Sequence, residues 1–307
     1  MDLEANTVQL LSAPDTDPRI GILRAGDEVD AFVVFARAFV LLIDTFSTPE
    51  LARQGLDLLR PRMDGRPLLV LNTHADYDHA YGNRVFAPHG EWPATIIGHR
   101  WAARRLTGPA EAEKLRALQA QSERYAQVQL VPPSLLVDDA LTLAGGDLTL
   151  ELLHTPGHTE DHLAVWIPEL RVLLAGDAAE YPFPHVVGAA SLVTLRASLT
   201  RLSELGAEVV LACHGQTTRP DLPALNLAYF SRLEAEVRDV LNNSPVAGSV
   251  EGDGLASAVT SRFSYADALR WLGATDAAPF YRRFHADAVH AMTELLRPAS
   301  RDKALEL

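Results

Sequence analysis

The sequence predicts an α/β protein carrying a helical C-terminal extension. Three observations lead there. Short β-prone apolar runs alternate with helical patterns between residues 7 and 218, polar side chains cluster at the ends of those runs, and from residue 219 onward helical spacing takes over. At 307 residues and 48% hydrophobic content, the chain can bury a large core. A division into residues 1–218 and a helical extension 219–307, packed back on the first unit, is expected.

Each element has its own signal. TVQLL, IGILRA and DAFVVFARAFVLLID read as strands within residues 7–45, the last long and apolar enough to be interior. STPELARQGLDLLRPR reads as a helix, opened by Ser/Thr with Pro49 in its first turn and stopped near Pro61. PLLVLN returns to strand. The segment NTHADYDHAYGN follows at its C-terminal end, where α/β folds commonly place ligands. ATIIGH is another strand, and PAEAEKLRALQAQSERYAQV a charged, solvent-facing helix ended by VPPS. The stretch LTLAGGDLTLELLHTPGHTEDHLAVWIPELRVLLAGD gives four short strands, followed by a helix over 191–205 and the strand EVVLACHG. The two halves run in a similar order, as a duplicated sandwich would. NLAYFSRLEAEVRDVL and PFYRRFHADAVHAMTELL carry apolar residues at helical spacing, separated by a soft Gly- and Ser-containing segment, 244–264.

Composition narrows the partners. Forty acidic against 27 basic residues give a net charge of −13, which disfavours nucleic acid and anionic membrane surfaces. The start MDLEANTVQLLS has no basic and apolar leader, and no apolar run approaches the ~20 residues of a membrane span. A cytoplasmic protein acting on a small-molecule substrate is the expectation. The single cysteine, Cys213, excludes an intrachain disulfide and any multi-cysteine metal site. Any metal must be held by histidine and carboxylate.

Four polar clusters end predicted strands: His74-Ala-Asp76-Tyr77-Asp78-His79, TPGH ending at His158, AGD ending at Asp177, and ACHG containing His214. Imidazole and carboxylate are what a first-row divalent metal takes when thiolates are absent, and seven such ligands make two sites. Their order and punctuation resemble the metallo-β-lactamase superfamily, whose signature is HxHxDH, a lone histidine after a glycine turn, a Gly-Asp, and a final histidine. The resemblance runs from about residue 20 to 220.

That resemblance implies a four-layer αβ/βα sandwich with two divalent metal ions at one edge. One ion would be held by His74, Asp76 and His158, the other by Asp78, His79 and His214, with Asp177 bridging. Zinc is the first expectation. Asp76 stands where the signature has histidine, and a carboxylate there also occurs in the family's diiron flavoproteins, with HxExDH, so manganese and iron stay open. The activity implied is hydrolysis of an ester, lactone or thioester by a metal-bound hydroxide, with Asp78 and Asp177 fixing the metals and orienting the hydroxide. His79 directly after Asp78 points away from the zinc enzymes that open penicillins. Two alternatives stand beside this: a diiron oxidoreductase on the same fold, and a non-catalytic metal-binding relative.

Other residues receive narrower readings. His185, in the Pro- and aromatic-rich EYPFPH, and His162 are candidates to touch substrate and protonate a leaving group, His185 being taken as catalytic. Tyr77 packs or lines the pocket mouth. His99 and His154 are expected to be hydrogen-bonded structural groups, and His285 and His290 surface residues. Cys213 should point away from the ligand His214 as a buried thiol. Gly82 and Asn83 should turn the chain after the cluster. The C-terminal helices would close over the metals, pack on the sandwich, or form a homodimer interface.

Overall fold

Twelve strands form two sheets in a computed structural model that describes residues 7–13, 16–243, 252–275 and 277–297. In the first sheet β1 (Val8–Leu11), β2 (Ile20–Ala25), β3 (Val29–Phe35), β4 (Val40–Ile43), β5 (Leu68–Leu71), β6 (Thr95–His99) and β7 (Leu135–Val137) lie in chain order. The pairings are antiparallel up to β4 and parallel from there, with Val33 opposite Leu42 and Leu42 opposite Val70. The second sheet has the order β12 (Val209–Ala212), β11 (Val172–Gly176), β10 (Leu163–Ile167), β9 (Thr149–His154), β8 (Ala140–Ala144). Only its β11–β12 pairing is parallel.

Alternation along the strands builds the layers. Leu174 and Leu211 join Phe32, Leu41 and Leu152 in one apolar cluster that spans both sheets. Their neighbours Leu173 and Val210 point the other way, into a second cluster with helical residues. The helix α1 (Pro49–Met63) packs Leu51, Leu56 and Leu59 into the first cluster. Over the second sheet lie α5 (Ala189–Glu204), through Leu192, Leu195 and Leu199, and the C-terminal helices α6 (Leu222–Asn243), α7 (Gly252–Arg262), α8 (Tyr265–Leu272) and α9 (Tyr281–Leu296). Helices therefore cover both outer faces of a pair of packed sheets. No helix among the described residues is long and apolar enough to cross a membrane.

The fold departs from sequence expectation in several places. The helix α1 passes Pro61 and ends at Met63, because in the last turn a missing N–H costs one bond while Met63 is buried in the core. The helix expected over PAEAEKLRALQAQSERYAQV is α4 (Pro109–Gln121), which stops well before VPPS and is followed by a 3-10 turn at Glu123–Tyr125, and an unanticipated helix, α3 (Arg100–Leu106), precedes it. Only Ala102 and Leu106 of α3 are buried, a stripe too thin for periodicity to reveal. The segment 244–264, read as soft, contains α7. Its stripe is Leu255, Val259 and Phe263, held in the second cluster, whereas residues 244–251 lie outside the described residues. His285, expected at the surface, is buried: it bonds Tyr229 Oη through Nδ1 at 2.9 Å and the Phe263 carbonyl through Nε2 at 3.1 Å. Buried Tyr229, Phe230 and Leu233 of α6 and Val289 and Met292 of α9 belong to the cluster shared with the second sheet, so the apolar stripes that suggested a dimer find cover within the chain.

Candidate metal centre

Strand ends from both sheets meet at one edge. β5 delivers His74, and the following short helix α2 (Tyr77–Ala80) carries Asp78 and His79 with Asp76 at its N-cap. The β9–β10 loop delivers His158, the turn after β11 Asp177, and the end of β12 His214. Gly157 makes the His158 loop possible, since at φ +140° a Cβ would lie 2.4 Å from the Leu195 backbone nitrogen. The α5 hydroxyls Ser191 and Ser198 donate to the Gly157 and Pro156 carbonyls and hold that loop. After α2 the chain passes under Thr45: a Cβ on Gly82 would stand 1.9 Å from the Thr45 carbonyl, and buried Asn83 bonds Asn72, Thr45 and the Val131 carbonyl.

The predicted residues converge around one oxygen. Asp177 Oδ2 lies 3.2 Å from His79 Nε2, 3.4 Å from His214 Nε2, 3.6 Å from His158 Nε2 and 3.8 Å from His74 Nε2. Asp76 Oδ2 stands 3.6 Å from both His74 Nε2 and His158 Nε2. Asp78 Oδ2 stands 3.8 Å from His79 Nε2 and 3.5 Å from His214 Nε2. These gaps are mostly too long for hydrogen bonds. They match a shared cation, since two donors about 2.0–2.1 Å from a tetrahedral ion stand about 3.4 Å apart. Buried His74 Nε2, His79 Nε2 and Asp177 Oδ1 have no hydrogen-bond partner among the described residues. The groups His74/Asp76/His158 and Asp78/His79/His214 each gather ligand atoms within 4.8 Å, and the donor set fits a pair of divalent metals.

Without a cation the carboxylates load protons onto the imidazoles. Burial opposes this, but Asp76 and Asp177 outweigh it and raise His158 to about 9, and Asp177 does the same for His214, to about 10. His79 is likewise held well above its usual value against burial, by Asp177, Asp78 and Asp44. Asp76 resists desolvation and stays well below the ordinary carboxylate range through His158, His74 and Arg105.

Behind the ligands lie Asp44, Thr73, Asp161 and Arg105, which the sequence did not single out, and His162, which the sequence offered as a group that touches substrate and the structure instead buries behind Asp177. Asp44, at φ +68° after β4, accepts from the Thr73 backbone N–H at 2.7 Å, the Thr73 hydroxyl at 2.8 Å and His79 Nδ1 at 2.8 Å. Thr73 Oγ1 in turn lies 3.0 Å from His74 Nδ1. Both histidines are thereby fixed with the proton on Nδ1 and the Nε2 lone pair toward the centre. His162 is fully buried; its Nε2 accepts the Asp177 backbone N–H at 3.0 Å and its Nδ1 faces Thr155 Oγ1 at 2.8 Å, so it orients Asp177 and has no face toward solvent. Arg105 of α3 bridges Asp76 Oδ1 and buried Asp161 Oδ1, and Asp161 Oδ2 accepts the Ala75 N–H at 2.8 Å. A carboxylate at a strand end was the only available clue to Asp44; Arg105 carried none.

The remaining candidates fall around the rim. His185 stacks on Phe284 at 4.4 Å, hydrogen-bonds Asp287 Oδ2 through Nε2 at 3.0 Å, and lies 6.0 Å from the His158 ring. Tyr77 packs edge-on against Tyr81 and Tyr125. His99 and His154 stack at 4.1 Å and bond backbone carbonyls. Cys213 is buried with Sγ 3.8 Å from Asp44 Oδ2, behind His79, and burial pushes its thiol well up, away from the thiolate a metal needs. A cavity of about 470 Å³ opens beside His214, between Asp27, Glu28 and Tyr181 on one side and Pro279 and Phe280 on the other.

The sequence model described as "Metallo-beta-lactamase superfamily" matches residues 24–214. Bovine (Bos taurus) acyl-coenzyme A thioesterase MBLAC2 is 31% identical over 117 residues, 36% of this chain and 41% of that protein. Hydroxyacylglutathione hydrolase of Rhodospirillum rubrum is 27% identical over 154 residues, 50% of each chain. The chain thus spans half or less of the length of these two relatives. In fold it is similar to a beta-lactamase domain protein from Burkholderia ambifaria, with a TM-score of 0.66 at 18% identity, covering 94% of this chain and 87% of that one. With a match over residues 24–214, most of the two-sheet region, the chain belongs to the metallo-beta-lactamase superfamily.

Proposed function

We propose that this protein is a dinuclear metal-dependent hydrolase of ester-type bonds: esters, lactones or thioesters. One cation would be held by His74, Asp76 and His158, the other by Asp78, His79 and His214, with Asp177 shared. The observation that carries the reading is the central Asp177 oxygen, 3.2–3.8 Å from four imidazole nitrogens. Divalent ions there would lower the pKa of water and polarise the carbonyl under attack, zinc being the first choice and manganese or iron admitted by Asp76. Two hydrolase relatives, a thioesterase and a hydroxyacylglutathione hydrolase, support the reaction class.

The chain's own groups divide the work. Asp78 and Asp177 anchor the centre, while Asp44 and Thr73 keep the imidazole lone pairs aimed at it. His185 is held below its ordinary value, by burial first and then by His158, so it is neutral near pH 7. With its Nε2–H donating a hydrogen bond to Asp287 Oδ2, His185 would take the proton of the attacking water at Nδ1. It then returns that proton to the alkoxide or thiolate as the C–O or C–S bond breaks. Glu28 and Asp30 in the cavity wall are already paired with Arg124 and Arg24, and among the described residues no lysine or arginine lines the cavity. Uncharged acyl substrates therefore suit it better than the anionic thioesters named for its relatives.

Turnover of a panel of uncharged esters and lactones, beside acyl-coenzyme A and acyl-glutathione thioesters, tests this. Hydrolysis should vanish on chelation and return with zinc, manganese or ferrous iron. Uncharged substrates should lead, and His185→Gln should lower kcat by about 10²–10⁴ with KM little changed. Chelation without effect on rate would refute the reaction, and a preference for the anionic thioesters would refute the substrate class.

A further inference from the structure

The dinuclear reading leaves one carboxylate unused. Glu180 follows Asp177 by three residues and is fully buried. Its Oε2 accepts a hydrogen bond from Tyr281 Oη at 2.9 Å, while Oε1, shielded from solvent, has no partner among the described residues. A Glu180 carboxylate oxygen lies within 4.8 Å of ligand atoms of His158 and Asp177. Burying such an oxygen with nothing to bond is costly, so this geometry calls for a positive group beside it. The backbone is pinned as well: the Glu180 N–H donates to Asn226 Oδ1 at 3.1 Å, and Asn226 Nδ2 donates to the Glu180 carbonyl at 2.8 Å and the Pro182 carbonyl at 3.2 Å. Asn226 belongs to α6 and Tyr281 to α9.

We propose that Glu180 is a further carboxylate ligand of the first cation, beside His74, Asp76, His158 and Asp177, and that Asn226 and Tyr281 are positioning residues that hold it there. This rests on the dinuclear reading and makes the two positions unequal. The first gains three carboxylates and two imidazoles, more donors and harder ones than tetrahedral zinc takes, and suits manganese or iron; the second keeps Asp78, His79, His214 and the shared Asp177, a four-donor set suited to zinc. The C-terminal helices then supply part of the metal site's framework.

The test is metal titration of chelator-stripped full-length protein with Mn²⁺, Zn²⁺ and Co²⁺, read by calorimetry, elemental analysis and the visible spectrum of cobalt. Wild type should take two ions per chain, with manganese competing at one position only and one cobalt absorbing weakly, as a five- or six-coordinate ion does. Glu180→Gln keeps the shape and an acceptor for Tyr281. It should weaken one position about 100-fold or more, erase the manganese preference and intensify the cobalt bands, leaving the other ion in place; Tyr281→Phe should weaken the same position about 10-fold. Circular dichroism of the stripped proteins shows whether each variant folds, and if Glu180→Gln does not, Tyr281→Phe decides. Two ions bound with unchanged affinity and cobalt spectrum in the variants would overturn the role of Glu180 alone. A wild type that binds no divalent ion would overturn the dinuclear reading itself.

Discussion

At the residue scale the decisive position is Asp76. Oδ2 faces His74 and His158 while Oδ1 is taken by Arg105, so this carboxylate is tied to the protein as firmly as to the centre. A histidine there would keep one donor toward the cation and remove one of Arg105's two close carboxylate partners, leaving Asp161. Asp76→His should therefore retain metal with a preference moved toward zinc, and lose about 1–3 kcal/mol of stability from the broken charged hydrogen bond, both side chains being about a third exposed. In an Arg105→Gln background, which itself leaves buried Asp161 without its guanidinium, the further cost of Asp76→His should largely disappear. Urea unfolding of the four proteins of this cycle checks it: an equal cost of Asp76→His with and without Arg105 would mean the two are not coupled.

Among the elements, α9 joins chemistry to packing. It sends Tyr281 to Glu180 and Asp287 to His185, and on the same helix buries His285 between Tyr229 and the Phe263 carbonyl. Burial lowers His285 below its ordinary 6.5, outweighing the Phe263 bond and the charge of Asp267. The unfolded chain takes up this proton near pH 6.5 and the folded chain resists it, so the stability His285 contributes is present above that pH and is lost as pH falls below it. The stability gap between wild type and His285→Gln, whose ligand titrations cancel, should narrow from pH 8 to pH 5 in thermal melts. A constant gap across that range contradicts the neutral buried imidazole.

For the whole molecule, a metal-loaded centre would act as a staple. His74, Asp76, Asp78 and His79 follow β5 of the first sheet, whereas His158, Asp177 and His214 come from the second. A cation bound between them holds the sheets together and stabilises only the folded chain. At free metal 1,000-fold above its Kd the gain is about 4 kcal/mol per site, or roughly 6 °C in Tm per site for a chain of this size. Scanning fluorimetry with and without chelator should show that drop and its reversal by added metal; a Tm indifferent to chelation would mean no ion spans the sheets.

The sequence by itself determined the strand and helix order of the two-sheet region and the kinds of side chain at each strand end. Apolar periodicity and turn residues are local signals, and imidazoles and carboxylates without thiolates announce their chemistry by type alone. Thus His74, Asp76, Asp78, His79, His158, Asp177 and His214 could be read as one set, and the structure brings them together. Helices α3, α7 and α8 were not, because two or three apolar residues make a stripe only when a partner surface is present to cover them. Nor were Asp44, Asp161, Arg105 and Glu180, whose roles follow from what they touch, and His162, a rim group by sequence, is a buried support of Asp177. Arg105 meets Asp76 across 29 positions, and Glu180 is held from 46 and 101 residues away. Tertiary structure alone decided these, since hydrogen bonds and charge pairs act through space over a few ångströms and leave no periodicity along the chain.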